Sequence, residues 1–174
     1  MARLRIVTDG IETTQKPAIT HFLAEHGIAF GTFEMGKRAR EAAPSVTVGD
    51  DERQAILREH DFVAQNYATR VGYRADVVCF HPELPHLEVI VEKFGSVHFH
   101  FENEFWYFFD GEALFGFLGK DGTKFEVTVK AGEYLQVPEG CWQYFALTPR
   151  RRMKSMRFFN QEGRVPPRKP VVFV

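Results

Sequence analysis

The sequence predicts a mainly β fold, a sandwich or barrel with a few α-helices in its first half, and three observations predict it. From Val97 onward, short apolar runs are separated by Asp-Gly, Ala-Gly and Pro-x-Gly turns every six to twelve residues. Before residue 90, apolar residues recur instead at helical spacing in two stretches. The chain also holds 18 phenylalanines, many in its second half, a content suited to a packed, strand-rich interior.

The elements follow in chain order. Leu4 to Val7 reads as a short strand. Pro17 suits a first helical turn, Ile19, Phe22, Leu23 and His26 follow at helical spacing, and Gly27 supplies a left-handed stop. Ile28 to Phe33 reads as a strand. Glu34 to Gly49 is charged and interrupted by Gly36 and Pro44, so it reads as a loop. Asp50 and Asp51 open a second helix, where their charge favours the positive N-terminal end. Its stripe is Ile56, Leu57, His60, Val63, Ala64 and Tyr67, and Gly72 closes it. Tyr73 to Phe80 is a strand ended by His81-Pro82. Val97 to Phe101 alternates with period 2, and Phe105–Phe109, Asp110-Gly111 and Ala113–Leu118 read as a hairpin. Strands over Phe125–Val129, Tyr134–Val137, Cys141–Leu147 and Met153–Phe159 complete the set. Three prolines make Arg164–Val174 an extended surface segment. The expected organisation is one domain over residues 1–174: an α+β part (1–90) packed on a barrel core (91–163), then the tail (164–174).

A net charge of −1 gives no pull toward nucleic acid or an anionic membrane, and the short Arg150-Arg151-Arg152 run reads as a solvated turn. Cys79 and Cys141 match neither a zinc spacing nor a disulfide framework, which suits a reducing cytoplasm. Met1 to Gly10 is charged at Arg3, Arg5 and Asp9 and resembles no signal peptide, and no apolar stretch is long enough to span a bilayer.

His98 and His100 are two apart on a predicted strand, so alternation puts both on one face. Glu104 follows past the polar break Glu102-Asn103, where a turn or bulge can swing its carboxylate to the same spot. Two imidazoles and one carboxylate with open positions suit non-haem Fe(II), and Mn, Co, Ni or Zn use the same donors. The same residues also read as polar side chains of an ordinary strand. Against that stand Phe99 and Phe101: if they face the core on one side, the histidines are buried on the other and need partners.

The stretch Val97 to Gly111, with its His98-x-His100-x-x-x-Glu104 block, resembles the acireductone dioxygenases. Tyr73–Val78, Glu92-Lys93-Phe94, Ala131–Gly140 with Val137-Pro138-Glu139-Gly140, and Met156–Phe159 with Glu162-Gly163 resemble further blocks of that family in order and spacing. The resemblance implies a cupin-type double-stranded β-helix and an Fe(II)- or Ni(II)-dependent dioxygenase of methionine salvage. Its partners are then a small enediol-ketone substrate and O2, and the protein is a monomer or weak homo-oligomer. It implies His98, His100 and Glu104 as metal ligands, and Phe94 and Phe145 as pocket aromatics. Arg157 matches an arginine that pairs with a negative substrate oxygen; an ion pair with Glu102 or Glu133 is its other reading.

Two positions depart from the pattern. Where the family places a fourth ligand histidine, this chain has Gln143, and where it usually places an arginine two residues after the ligand glutamate, this chain has Trp106. Gln143 can bind the metal through its amide oxygen, hold a water there, or mark a site that has lost its metal. Trp106 removes a positive charge from the pocket and adds apolar bulk. The departures leave room for another cupin dioxygenase or isomerase, or a catalytically silent small-molecule binder, on the same scaffold.

Overall fold

Turn glycines and alternating apolar residues build two antiparallel sheets that share one long strand. The structure is a computed structural model and describes residues 1–62, 73–160 and 164–165. Its strands are β1 (Arg3–Ile6), β2 (Ile11–Thr13), β3 (Ala29–Thr32), β4 (Tyr73–Phe80), β5 (Phe99–His100), β6 (Glu104–Leu118), β7 (Lys124–Lys130), β8 (Glu133–Val137), β9 (Trp142–Leu147), β10 (Met153–Asn160) and β11 (Arg164–Val165). Its helices are α1 (Lys16–Glu25), α2 (Lys37–Ala42), α3 (Asp50–Glu59) and α4 (Leu87–Gly95). One sheet runs β2-β1-β7-β6-β9 and the other β4-β10-β6-β8-β3. The mainly β expectation holds.

β6 makes this arrangement possible. The sequence reads Asp110-Gly111 as a hairpin turn, but β6 runs straight through it as one 15-residue strand. A type I′ hairpin needs positive φ at both turn residues; here only Gly111 has it, at 65°. The register against β10 slips at this point, with Lys154 opposite Asp110 and Ser155 opposite Phe108, so Phe109 is the extra residue of a bulge. The bulge changes the phase of the strand. Trp106 and Phe108 face the space between the sheets before it, and Ala113, Phe115 and Phe117 face it afterwards. A Cβ on Gly111 would run into the carbonyl oxygen of Arg152, so the position needs glycine for space as well as for φ.

There are two apolar layers. The inner one lies between the sheets and joins Phe108, Phe115, Phe117 and Phe125 to Leu4, Leu135 and Val137. The outer one joins Phe105, Tyr107 and Phe109, on the other face of β6, to Met156 and Phe158 of β10 and to Ala39, Ala42 and Ile56 of α2 and α3. Burial on both faces explains why Phe105–Phe109 is a continuous aromatic run rather than an alternating one. Each such buried side chain contributes ~1.5–3 kcal/mol.

Several expectations fall where they were placed. Pro17 lies in the first turn of α1, Ile19 and Leu23 are buried, and Gly27 ends the helix at φ 75°. Gly122, Gly132 and Gly140 also take positive φ between strands. Others need correction. The segment read as a loop contains α2, whose alanines allow close approach to the sheet. α4 has no counterpart in the sequence reading, because its β-branched Val89, Ile90 and Val91 carry no helical signal. The strand read over Val97–Phe101 shrinks to β5, and Phe101 is 53% exposed rather than in the core. Phe101 and Phe99 instead pack together, with Phe99 edge-on to Trp142. Arg151 does turn, at φ 51°, but Arg152 is tied to Asp110 rather than simply solvated. Arg164–Val165 pair with β5 instead of lying unpaired. The stripe residues Val63, Ala64 and Tyr67, the stop at Gly72, the Glu162-Gly163 block and residues 166–174 lie outside the described residues. Among the described residues no helix is long and apolar enough to cross a membrane.

Glu133 anchors the N-terminal strand: its buried carboxylate accepts from the backbone N–H of Ala2 at 3.0 Å and of Lys130 at 2.8 Å. Glu133→Ala strands both donors and is expected to cost ~2–4 kcal/mol in urea unfolding. Gly111→Ala combines a strained left-handed φ with a backbone collision and is expected to cost more than ~3 kcal/mol in the same measurement, or to prevent folding.

Candidate metal centre

His98, His100 and Glu104 come together at one end of the inner layer. β5 is short, and His98 sits just before it, held by paired backbone hydrogen bonds to Gln143 on β9: His98 N to Gln143 O at 2.9 Å and Gln143 N to His98 O at 2.8 Å. Glu104 begins β6, so the polar break Glu102-Asn103 does return the chain to the same place. His98 and Glu104 are each 4% exposed. His98 Nε2 lies 3.2 Å from His100 Nε2, and His100 Nε2 lies 3.8 Å from Glu104 Oε2.

The hydrogen bonds around these groups define their states. His98 Nδ1 is 2.6 Å from the carbonyl oxygen of Ser96. A carbonyl only accepts, so Nδ1 carries a proton, and in its neutral form the ring has its lone pair at Nε2, toward His100. Gln143 Nε2 donates to Glu104 Oε2 at 2.9 Å. The reverse amide orientation would set two acceptors against each other, so the amide oxygen points elsewhere; it is buried without a protein partner.

The donor set fits a divalent transition metal. Two nitrogens held about 2.1 Å from one ion at right angles lie ~3 Å apart, close to the observed histidine spacing. The orphaned Gln143 oxygen is a hard neutral donor beside them. Among the described residues no three His, Cys, Asp or Glu side chains stand so that together they could hold a metal ion as placed; the Glu104 carboxylate, engaged by Gln143 and 3.8 Å from His100 Nε2, is the member that stands off. Neither cysteine is part of this chemistry: burial pushes the Cys141 thiol up to about 11 and also raises that of Cys79, so both stay protonated near neutral pH.

The centre opens into a cavity lined by His98, Glu104, Trp106, Gln143, Phe145 and Arg157. Trp106 and Phe145 thus stand where the sequence expects pocket aromatics. Phe94 lies on α4, and its side chain is outside the described residues. Phe115 and Tyr144 also line the cavity, and the sequence reading missed them. Phe115 is masked by the phase change at the bulge; correct alternation through β6 is the signal that finds it. Tyr144 turns its hydroxyl away to Glu126, and burial followed by that hydrogen bond raises its pKa above the ordinary phenol range.

Arg157 also faces the cavity, but its carboxylate partner is Asp76. The two are directly opposite across β10 and β4, with Arg157 Nη2 2.7 Å from Asp76 Oδ2 and Nε 3.2 Å from Oδ1. Glu133, one of the two partners expected from the sequence, is committed to backbone N–H groups instead.

A sequence model of the ARD/ARD' family matches residues 32–166. The chain belongs to the ARD/ARD' family. Relatives similar to this member include an acireductone dioxygenase of Microcystis aeruginosa (strain NIES-843 / IAM M-2473), 32% identical over 162 residues, which span 92% of this chain and 88% of the relative. Another, from Trichodesmium erythraeum (strain IMS101), is 30% identical over 170 residues, 95% of this chain and 93% of the relative. Among solved structures, the family's acireductone dioxygenase from Bacillus anthracis, with a cadmium ion in its active centre, is similar at a TM-score of 0.81 and 25% identity, covering 93% of this chain and 94% of that one. The fold is the cupin type that the sequence resemblance implies.

Nitrogen-detected NMR of the metal-free protein is expected to show the His98 ring protonated at Nδ1; a ring protonated only at Nε2 would contradict the hydrogen bond to Ser96.

Proposed function

We propose that this ARD/ARD' family member is a metal-dependent dioxygenase that oxidises an acireductone-like enediol with O2. His98, His100 and Glu104 hold one divalent transition metal, and Gln143 Oε1 takes the fourth position, on the metal or through a water. What carries the reading is that His98, Glu104 and Gln143 line one cavity, with His100 Nε2 3.2 Å from His98 Nε2 and 3.8 Å from Glu104 Oε2. The family membership and the cadmium in the active centre of the Bacillus anthracis relative support it. Fe(II) or Ni(II) suits two imidazoles and a carboxylate best, with Mn, Co or Zn able to use the same donors. On this reading residues 1–174 form one cupin domain, in the cytoplasm, monomeric or weakly self-associating, with no nucleic-acid or membrane partner.

When bound, the metal supplies a Lewis-acid centre with positions open to oxygen ligands. The protein supplies the rest. Ser96 holds the His98 ring in the tautomer that presents Nε2 inward. Gln143 orients Glu104 through its amide hydrogen, which also spreads the carboxylate's charge. Arg157, its plane fixed by Asp76, sets a permanent positive charge at the cavity wall, where an enediolate oxygen gains from it. Trp106, Phe115 and Phe145 exclude bulk water, which strengthens each of these interactions.

Elemental analysis after loading with Fe(II) or Ni(II) is expected to give about one metal per chain, and His100→Ala or Glu104→Ala to bind at least ~10-fold more weakly. O2 consumption with an acireductone is expected from the loaded protein, and a loaded protein that consumes none defeats the dioxygenase reading. Gln143→His exchanges an amide oxygen for an imidazole and is expected to tighten metal binding by ~10-fold or more in competition with a chelator.

A further inference from the structure

Gln143 enters the centre on a fixed backbone. Its main chain is held on both edges, by the paired hydrogen bonds to His98 and by its register opposite Phe117 on β6. The residue is 2% exposed, and its Nε2 donates to Glu104 Oε2 at 2.9 Å. That bond sets which end of the amide is which, because the reverse orientation brings two acceptors together. Oε1 is left as a buried acceptor with no protein partner. Folded proteins seldom leave such an atom unsatisfied, and a cation satisfies it as well as a proton donor does.

The space beside it is of ionic size. His98, Glu104 and Gln143 line one cavity, and the enclosed part is about that of one water molecule. Among the described residues that line it, none carries sulfur. Cys141, two positions before Gln143, lines a separate groove, with its thiol 3.9 Å from the carbonyl oxygen of Trp142. The donors at hand are therefore two imidazoles, one carboxylate and one amide oxygen. At a given site, affinity for divalent ions rises in the order Mn, Fe, Co, Ni. Imidazole favours the later ions of that series, whereas carbonyl and carboxylate oxygens suit the early ones. An amide oxygen in place of a third imidazole flattens the order.

We infer that Gln143 sets the metal preference of this centre: by completing it with an oxygen, it narrows the advantage of nickel(II) over iron(II) and manganese(II), relative to the same centre completed by a histidine. This rests on the metal-centre reading above and moves its choice of ion toward the early, oxygen-preferring members of the series. The two ends of one amide then have separate tasks. The nitrogen places Glu104, and the oxygen selects the ion.

The test is the affinity of the metal-free protein for Mn(II) and for Ni(II), each read in competition with a chromophoric chelator at neutral pH. In Gln143→His the ratio of nickel to manganese affinity is expected to rise at least ~10-fold over wild type. Gln143→Glu keeps an oxygen donor and loses the amide N–H, and its ratio is expected to be no higher than wild type. Gln143→Leu removes both ends of the amide and is expected to weaken both ions by ~10-fold or more. Pulsed electron paramagnetic resonance of the Mn(II)-loaded proteins is expected to count one more imidazole nitrogen in Gln143→His than in wild type. If Gln143→His does not fold, the Gln143→Glu and Gln143→Leu comparisons decide. A Gln143→His ratio within about threefold of wild type overturns the inference, as does a Gln143→Glu ratio ~10-fold above wild type or a Gln143→Leu protein that binds both ions as wild type does. A wild type that binds both ions, yet shows one of these three results, leaves the metal-centre reading standing. A wild type that binds neither ion defeats that reading and the inference with it.

Discussion

The fold depends on one backbone position. Gly111 takes a left-handed conformation against the carbonyl of Arg152, and this lets β6 belong to both sheets. Without the phase change at Phe109–Gly111, one half of β6 would turn its aromatic residues away from the space between the sheets. With it, Trp106 from the first half and Phe115 from the second meet across the same cavity. The bulge that shapes the core therefore also builds the aromatic wall of the candidate site. The same region recruits the outer layer, since Arg152 and Lys154 both bond to Asp110 and to the carbonyl of Ala43, just after α2.

Charge in the site is arranged in a row across three strands. Asp76, Arg157 and Trp106 occupy facing positions on β4, β10 and β6. Asp76 fixes the guanidinium, and the guanidinium lies over the indole face, where the ring's electron density favours a cation. On the opposite wall, Gln143 links Glu104 to β9. A neutral amide both donates and accepts, so one side chain serves the carboxylate with its nitrogen and leaves an oxygen for a ligand. An imidazole with one nitrogen on a metal has only the other left for such work.

What the sequence revealed and what it hid have physical reasons. Gly27, Gly122, Gly132 and Gly140 stop or turn elements because positive φ is cheap only for glycine, and that is legible in one chain. His98, His100 and Glu104 were legible as a set, because period-2 alternation and a short polar break put them on one face. Asp110-Gly111 was misread because a turn and a bulge both ask for left-handed glycine, and only the conformation of Asp110 separates them. Asp76 could not be found as the partner of Arg157, because it lies 81 residues away and depends on strand register. The short helix α2 is set by its contact with the sheet, and six residues carry too few turns to show a stripe.

The bridge between His98 and Gln143 is made entirely by main-chain atoms, with one hydrogen bond in each direction. Nothing in it depends on what side chain stands at residue 143. The backbone thus works as a socket: it presents whichever group position 143 carries to the same point beside His98 and Glu104, while the strand path stays the same. The scaffold thus separates the path of its strands at this point from the chemistry of the side chain that position 143 carries.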